Sequence, residues 1–270
     1  MKRAIVTGAS RGIGRAIALA MAGDGYDVIG TSRDPGAMPP GERIPGVRYM
    51  PLELLDEKSI GAFLAEAGEV EVLVNNAGAN LIGPVEEVPL GNIRALFEAN
   101  LFGLIRLTQG IVCSMRERRA GTVINVASFA GLSPVPFISI YAATKSALIA
   151  LSRGLRHEVA PWGVRVAVVA PLHINTTFPL EIVCGESSFY LPAVTKVKAV
   201  RDRNLSEAPG PELVAKKVLR ILSARTPRFF NAVGRGAGIT AFLIKHLPDA
   251  VVERAARKRA GLPARSKSVR

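Results

Sequence analysis

Ala4-Ile5-Val6-Thr7-Gly8-Ala9-Ser10-Arg11-Gly12-Ile13-Gly14 opens the chain almost at once, and its reading decides the fold. Three apolar residues of buried-strand type run into a glycine-rich turn, and a helical pattern follows through Ala22. A phosphate site needs that order. Glycine lets the backbone turn tightly and approach a pyrophosphate, while the first turn of the helix offers unpaired N–H groups at the positive end of its dipole. The glycines Gly8, Gly12 and Gly14 depart from the G-x-G-x-x-G spacing, so on this segment alone an ordinary tight loop stays open.

Working outward, the same alternation repeats. Strands are predicted over Asp27–Thr31, Arg48–Leu52, Val70–Val74, Thr122–Val126 and Gly163–Ala170, and helices over Asp56–Glu66, Pro89–Thr108 and Ile140–Val159. The Pro- and Gly-rich stretch Pro35–Gly46 reads as a surface loop. The predicted fold class is α/β, one doubly wound parallel sheet with helices on both faces, and its ligand should lie across the carboxyl ends of the strands.

Several residues fall at that edge. Ser32 and Arg33 end the second strand, where an acidic side chain would bond the ribose hydroxyls of NAD and an arginine accommodates the 2′-phosphate of NADP. Arg33, together with Arg11, points to NADP(H); Asp34 is the alternative reader and leaves NAD(H) open. Asn75-Asn76-Ala77-Gly78 follows the fourth strand with small residues suited to close ligand approach, and Ser128 follows the next. Tyr141 and Lys145 stand at i,i+4 on one helix face. A cation beside a phenol favours phenolate and brings its pKa toward the working range, so the pair can move a proton.

Taken together, these residues resemble the short-chain dehydrogenase/reductase family over roughly residues 1–180, with a tail similar to the steroid and retinol dehydrogenase branch. Thr7 to Gly14 matches the family's T-G-x-x-x-G-x-G cofactor turn, Asn75 to Gly78 its N-N-A-G, and Asn100, Ser128, Tyr141 and Lys145 its Asn-Ser-Tyr-Lys set. The resemblance implies a Rossmann-type oxidoreductase domain in which Tyr141 exchanges a proton with the substrate oxygen and Lys145 lowers the phenol pKa and bonds the nicotinamide ribose. It further implies that Ser128 holds the substrate oxygen and that Asn100 anchors a water leading protons to Lys145. Gly8, Ser10, Arg11, Gly12, Ile13, Gly14, Arg33, Glu53, Asn76, Ala77, Gly78, Tyr141, Lys145, Pro171, Ile174 and Thr176 are the implied cofactor contacts. Two positions depart from the pattern: Leu172 replaces the glycine after Pro171, which predicts crowding at the nicotinamide, and Glu53 stands for the usual Asp at the adenine. Homo-oligomers are expected from the same resemblance.

The chain has 270 residues, enough for one domain spanning 1–270 with a substrate lid at about 176–210 and a basic extension at about 229–270. Phe178, Leu180, Ile182, Val183, Phe189, Tyr190 and Leu191 are the lid's candidate apolar lining, and Lys196, Lys198, Arg201 and Arg203 make its second half basic. Pro211 to Leu222 reads as an amphipathic helix. Cys113 and Cys184 have no paired or metal-like spacing, the three histidines are scattered, and no signal or membrane-spanning segment is read. These features predict reduced thiols, a cytoplasmic setting and no metal.

The net charge of +13 attracts anionic partners, and much of it lies in Arg254, Arg257, Lys258, Arg259, Arg265, Lys267 and Arg270. No nucleic-acid-binding module accompanies it. Between a tail lying on an anionic membrane and one packing on the domain, the second is the reading adopted. The functional expectation is an NADP(H)-preferring oxidoreductase that interconverts a secondary alcohol and a ketone on a fairly large apolar small molecule. Its rivals are a ketoreductase acting on an acyl chain tethered to an acidic carrier protein and a non-catalytic cofactor-binding regulator.

Overall fold

The computed structural model describes residues 1–262; Arg265, Lys267 and Arg270 of the basic tail lie outside the described residues. The elements run β1 (Arg3–Val6), α1 (Gly12–Gly23), β2 (Asp27–Ser32), β3 (Val47–Pro51), α2 (Glu57–Ala67), β4 (Val72–Asn75) and β5 (Leu81–Ile82). They continue as α3 (Leu90–Phe97), α4 (Gly103–Glu117), β6 (Gly121–Val126), α5 (Ser139–Val159), β7 (Val164–Pro171) and β8 (Glu181–Ile182). The last are α6 (Leu191–Ser206), α7 (Glu212–Ser223), β9 (Phe230–Val233), α8 (Ala237–His246) and α9 (Asp249–Arg259).

Seven strands form one sheet in the order β3-β2-β1-β4-β6-β7-β9, and every pairing in it is parallel. Both faces are covered, which is why the strands read as continuous apolar runs. Ile5 packs on one face with Leu104, Leu107 and Leu148 from α4 and α5, whereas Ala4 and Val6 pack on the other with Ile17 and Val218 from α1 and α7. The strand order reverses between β1 and β4, so a crevice opens at their carboxyl ends.

Three findings go beyond the sequence reading. The predicted helix Pro89–Thr108 extends to Glu117, because Leu104, Leu107, Ile111 and Met115 recur at helical spacing and are all buried. It is interrupted by a π-turn at Glu98–Phe102, centred on Asn100. The combined run Leu90–Glu117 has the length and hydropathy of a membrane span, yet half of its most apolar window is buried inside the protein, as in a core helix. Second, β9 adds a seventh strand where the sequence suggested only the start of an extension. Third, β5 and β8 pair as a separate two-stranded sheet, with Leu81 opposite Glu181 and Ile82 opposite Ile182, and tie the lid to the segment after β4.

Candidate active site

The crevice begins where β1 hands over to its turn. Thr7 is fully buried, and its Oγ1 accepts hydrogen bonds from the backbone N–H groups of Asn76 and Ala77, each at 2.9 Å. Asn76 Nδ2 donates in return to the Thr7 carbonyl at 2.9 Å. The ends of β1 and β4 are thereby stapled together. Gly8 and Gly12 take positive φ values of 66° and 55°, the left-handed region that favours glycine. A Cβ at Gly14 would overlap the Gly8 carbonyl and the Asn76 amide, so α1 packs directly on the turn. No side chain caps α1 and its first turn carries no acidic residue, which leaves a helix N-terminus suited to an anion.

A cleft of about 850 Å³ runs from this turn across the strand ends. Gly8, Ser10, Arg11, Gly12, Ile13, Arg33, Glu53, Asn76, Ala77, Gly78, Ser128, Tyr141, Lys145, Pro171 and Thr176 all border it, with Gly78 beside Lys145 and Thr176 beside Gly12. The residues fit a dinucleotide: a glycine-lined turn at a helix N-terminus, a cation and a proton-carrying pair border the same cleft. Asp34 Oδ1 accepts from the Ala37 N–H at 3.1 Å and closes its own turn, while Arg33 makes no hydrogen bond or ion pair among the described residues. Glu53 lines the cleft with its carboxylate turned to the Leu55 N–H at 3.1 Å.

Two predicted cofactor contacts sit elsewhere: Gly14 serves helix packing, and Ile174 is 4% exposed within the core formed by α1 and α7. Asn100 is fully buried behind the cleft wall, beside Gly78. The Asn100 amide is engaged throughout. Its Oδ1 accepts from Ala79 N–H at 2.7 Å, and Nδ2 donates to the Ala79 carbonyl and to Thr144 Oγ1, both at 3.0 Å. Thr144 in turn donates to the Tyr141 carbonyl at 2.7 Å. The π-turn thus locks the segment after β4 to the α5 turn that presents Tyr141.

Leu172 also departs from expectation. Its N–H donates to the Val233 carbonyl at 2.7 Å, and the residue does not border the cleft. Pairing with β9 captures this backbone, and the left-handed turn shifts to His173, at φ 44°. The predicted crowding of the nicotinamide end is therefore absent from the cleft wall.

The electrostatics of the proton pair differ from the sequence picture. Tyr141 borders the cleft, and burial holds its phenol above the ordinary value, against the opposing pull of a hydrogen bond with Ser128 and the charge of Arg201. Lys145 is only 3% exposed, and burial lowers its ammonium to about 8. Its Nζ lies 3.4 Å from the Val126 carbonyl and 5.8 Å from the centre of the Tyr141 ring. Arg201 of α6, itself paired with Asp202 at 3.0 Å, opposes the rise of the phenol without overcoming it.

Beneath the site lies a polar chain that the sequence reading missed. Asn75 Nδ2 donates to Asn125 Oδ1 at 2.8 Å and to Thr108 Oγ1 at 2.9 Å, and Asn125 Nδ2 donates to Ser152 Oγ at 2.7 Å. It joins β4, β6, α4 and α5; the visible signal was an asparagine ending or interrupting each of two apolar strands. On the lid side, Phe178 alone of the named apolar residues borders the cleft, joined by Pro179, Asn80 and Glu181. Leu180 and Val183 pack in small clusters, Tyr190 rests on Phe137 with ring centres 5.9 Å apart, and Phe189 is 91% exposed. Asn80 Oδ1 is buried without a partner among the described residues.

The chain belongs to the short chain dehydrogenase family, whose model matches residues 2–183. It is similar to retinol dehydrogenase 8 of Bos taurus, 30% identical over 83% of this chain and 78% of that protein. Its similarity to 17-beta-hydroxysteroid dehydrogenase type 1 of Mus musculus is 32% identity over 84% and 72% of the two chains. A solved short-chain dehydrogenase from Streptomyces avermitilis superposes with a TM-score of 0.81 at 34% identity, covering 96% of this chain and 97% of that one.

Proposed function

We propose, from this membership in the short chain dehydrogenase family, that the protein is an NADP(H)-preferring oxidoreductase interconverting a secondary alcohol and a ketone on a fairly large, mostly apolar substrate. The observation that carries the reading is the convergence of Ser128, Tyr141 and Lys145 on the cleft that also holds Arg33 and the glycine turn. Family relatives named for retinol and hydroxysteroids, and the apolar Phe178 and Pro179 on the cleft wall, support an apolar substrate.

Bound in the cleft, the nicotinamide cofactor supplies or accepts the hydride. Gly8, Ser10, Arg11, Gly12 and Ile13 hold its phosphates, Arg33 its 2′-phosphate, and Asn76, Ala77, Gly78, Pro171 and Thr176 its remaining flank. In reduction, the Tyr141 hydroxyl gives its proton to the substrate oxygen; in oxidation, the phenolate oxygen takes it back. Ser128, which borders the cleft with Tyr141, holds the same oxygen. Arg201 favours the phenolate electrostatically, and Lys145 bonds the nicotinamide ribose.

The test is NADPH consumption with a panel of apolar ketones, run on the wild type and on Tyr141→Phe. Turnover by the wild type, together with retained NADPH binding and a loss of roughly a hundredfold or more in the variant, is expected. Appreciable turnover by Tyr141→Phe would remove the proposed proton carrier.

A further inference from the structure

An apolar face of α8 is left uncovered. Ile239, Phe242, Leu243 and Leu247 are 71%, 62%, 43% and 40% exposed, and their spacing of three and four places them along one side of the helix and its end. His246 stacks on Phe242 with ring centres 4.2 Å apart. At the start of α9, Val251 is also 48% exposed. Scattered exposed apolar residues are ordinary; a run of five on consecutive helices marks an interaction surface.

The charge beside it specifies the partner. Residues 229–270 carry nine Lys and Arg against two Asp and Glu, so about half of the net +13 lies in this short stretch. On α9, Arg254, Ala255 and Lys258 share the side of Val251. Ala255 and Lys258, with Arg259, form one wall of a cleft of about 400 Å³ whose other wall is Val200, Arg203 and Asn204 of α6. Arg203, Lys258 and Arg259 form no ion pair among the described residues. Exposed apolar residues on α8 together with a cleft of unpaired cations on the next helix have the chemistry of a surface helix on anionic lipid, where acyl chains meet the apolar side chains and headgroup phosphates meet the cations.

In place of the reading adopted from the sequence, in which the tail only packs on the domain, we infer that the α8–α9 face docks the protein on an anionic bilayer, with Ile239, Phe242 and Leu243 inserted and the Arg203–Lys258 cleft holding a lipid phosphate. The described part of the extension is anchored for this role at Ala260 and Leu262. Ala260 and Leu262 pack with Val197 of α6, Leu180, Phe137 and Ile138, the last two immediately before the helix that presents Tyr141. Docking therefore sets the lid against the source of an apolar substrate.

The full-length protein is floated with vesicles of phosphatidylcholine alone and of phosphatidylcholine with phosphatidylglycerol. The expected result is binding to the anionic vesicles only, weakened by added salt. Ile239→Ser with Phe242→Ser, and separately Arg203→Gln with Lys258→Gln, should each reduce it by roughly tenfold or more, while NADPH binding stays at the wild-type level in both. A wild type that stays with the free protein, or serine variants that float as well as the wild type, would overturn the inference. So would sedimentation showing a wild-type oligomer that the serine variants dissociate, because the face would then belong to a second copy.

Discussion

Replacing Lys145 by methionine should stabilise the protein near neutral pH while abolishing turnover. The ammonium is 3% exposed, it donates to the Val126 carbonyl at 3.4 Å, and no acidic side chain pairs with it among the described residues. Burial brings its pKa from 10.5 down to about 8. At about 1.4 kcal/mol per pH unit, holding the charged form in the folded state costs about 3 kcal/mol. Methionine keeps most of the stem and removes the charge, the kind of replacement that relieves a buried ion. In a chain of this length that corresponds to a melting temperature higher by roughly 5–10 °C. The sign with pH follows from proton uptake. Between about pH 8 and 10.5 the unfolded chain holds the lysine proton that the folded chain has lost, so wild-type stability rises with pH through that window. Below about pH 8 the full cost is present. Thermal unfolding of both proteins without added cofactor, from pH 7 to 10.5, reads the difference directly. It should be largest at pH 7 and shrink as pH rises. A variant melting at or below the wild type at pH 7, or a difference independent of pH, would refute the reasoning.

Asn100→Ala deletes three hydrogen bonds to Ala79 and Thr144 and should cost about 2–4 kcal/mol in a urea unfolding experiment; a loss below about 1 kcal/mol would mean that the π-turn does not lock the site. Thr7→Val leaves two backbone N–H groups without their acceptor and should cost about 2–3 kcal/mol, with weaker cofactor binding, whereas Thr7→Ser should recover both. Arg33→Asp should weaken NADPH binding by roughly tenfold to a hundredfold without a matching loss for NADH; equal losses for the two would point to a different phosphate contact.

Much of this was legible in the chain because burial on both faces writes parallel strands as plain apolar runs. Ala4–Val6, Val72–Val74 and Val164–Ala170 needed no partner to be recognised. Phe230–Val233 was not legible: Asn231 interrupts it, and it becomes a strand only by pairing with β7. The helix ending misread at Thr108 has a similar cause. Gly110 looks like a stop, yet it is the position where Leu64 of α2 packs against α4, so tertiary contact overrides propensity. At the site, the side chains that border the cleft could be named from motif and spacing, but Leu172 could not be judged without the strand that pulls its backbone aside. The polar chain from Asn75 to Ser152 joins residues up to 77 positions apart, and separation of that order leaves no local pattern.

The most direct test of the account is a titration of the purified protein with NADPH and with NADH, followed by nicotinamide fluorescence. Saturable NADPH binding at least roughly tenfold tighter than NADH is expected, because Arg33 borders the cleft unpaired among the described residues while Asp34 is held in its own turn. Tighter binding of NADH would contradict the cofactor assignment, and binding of neither would contradict the oxidoreductase reading itself.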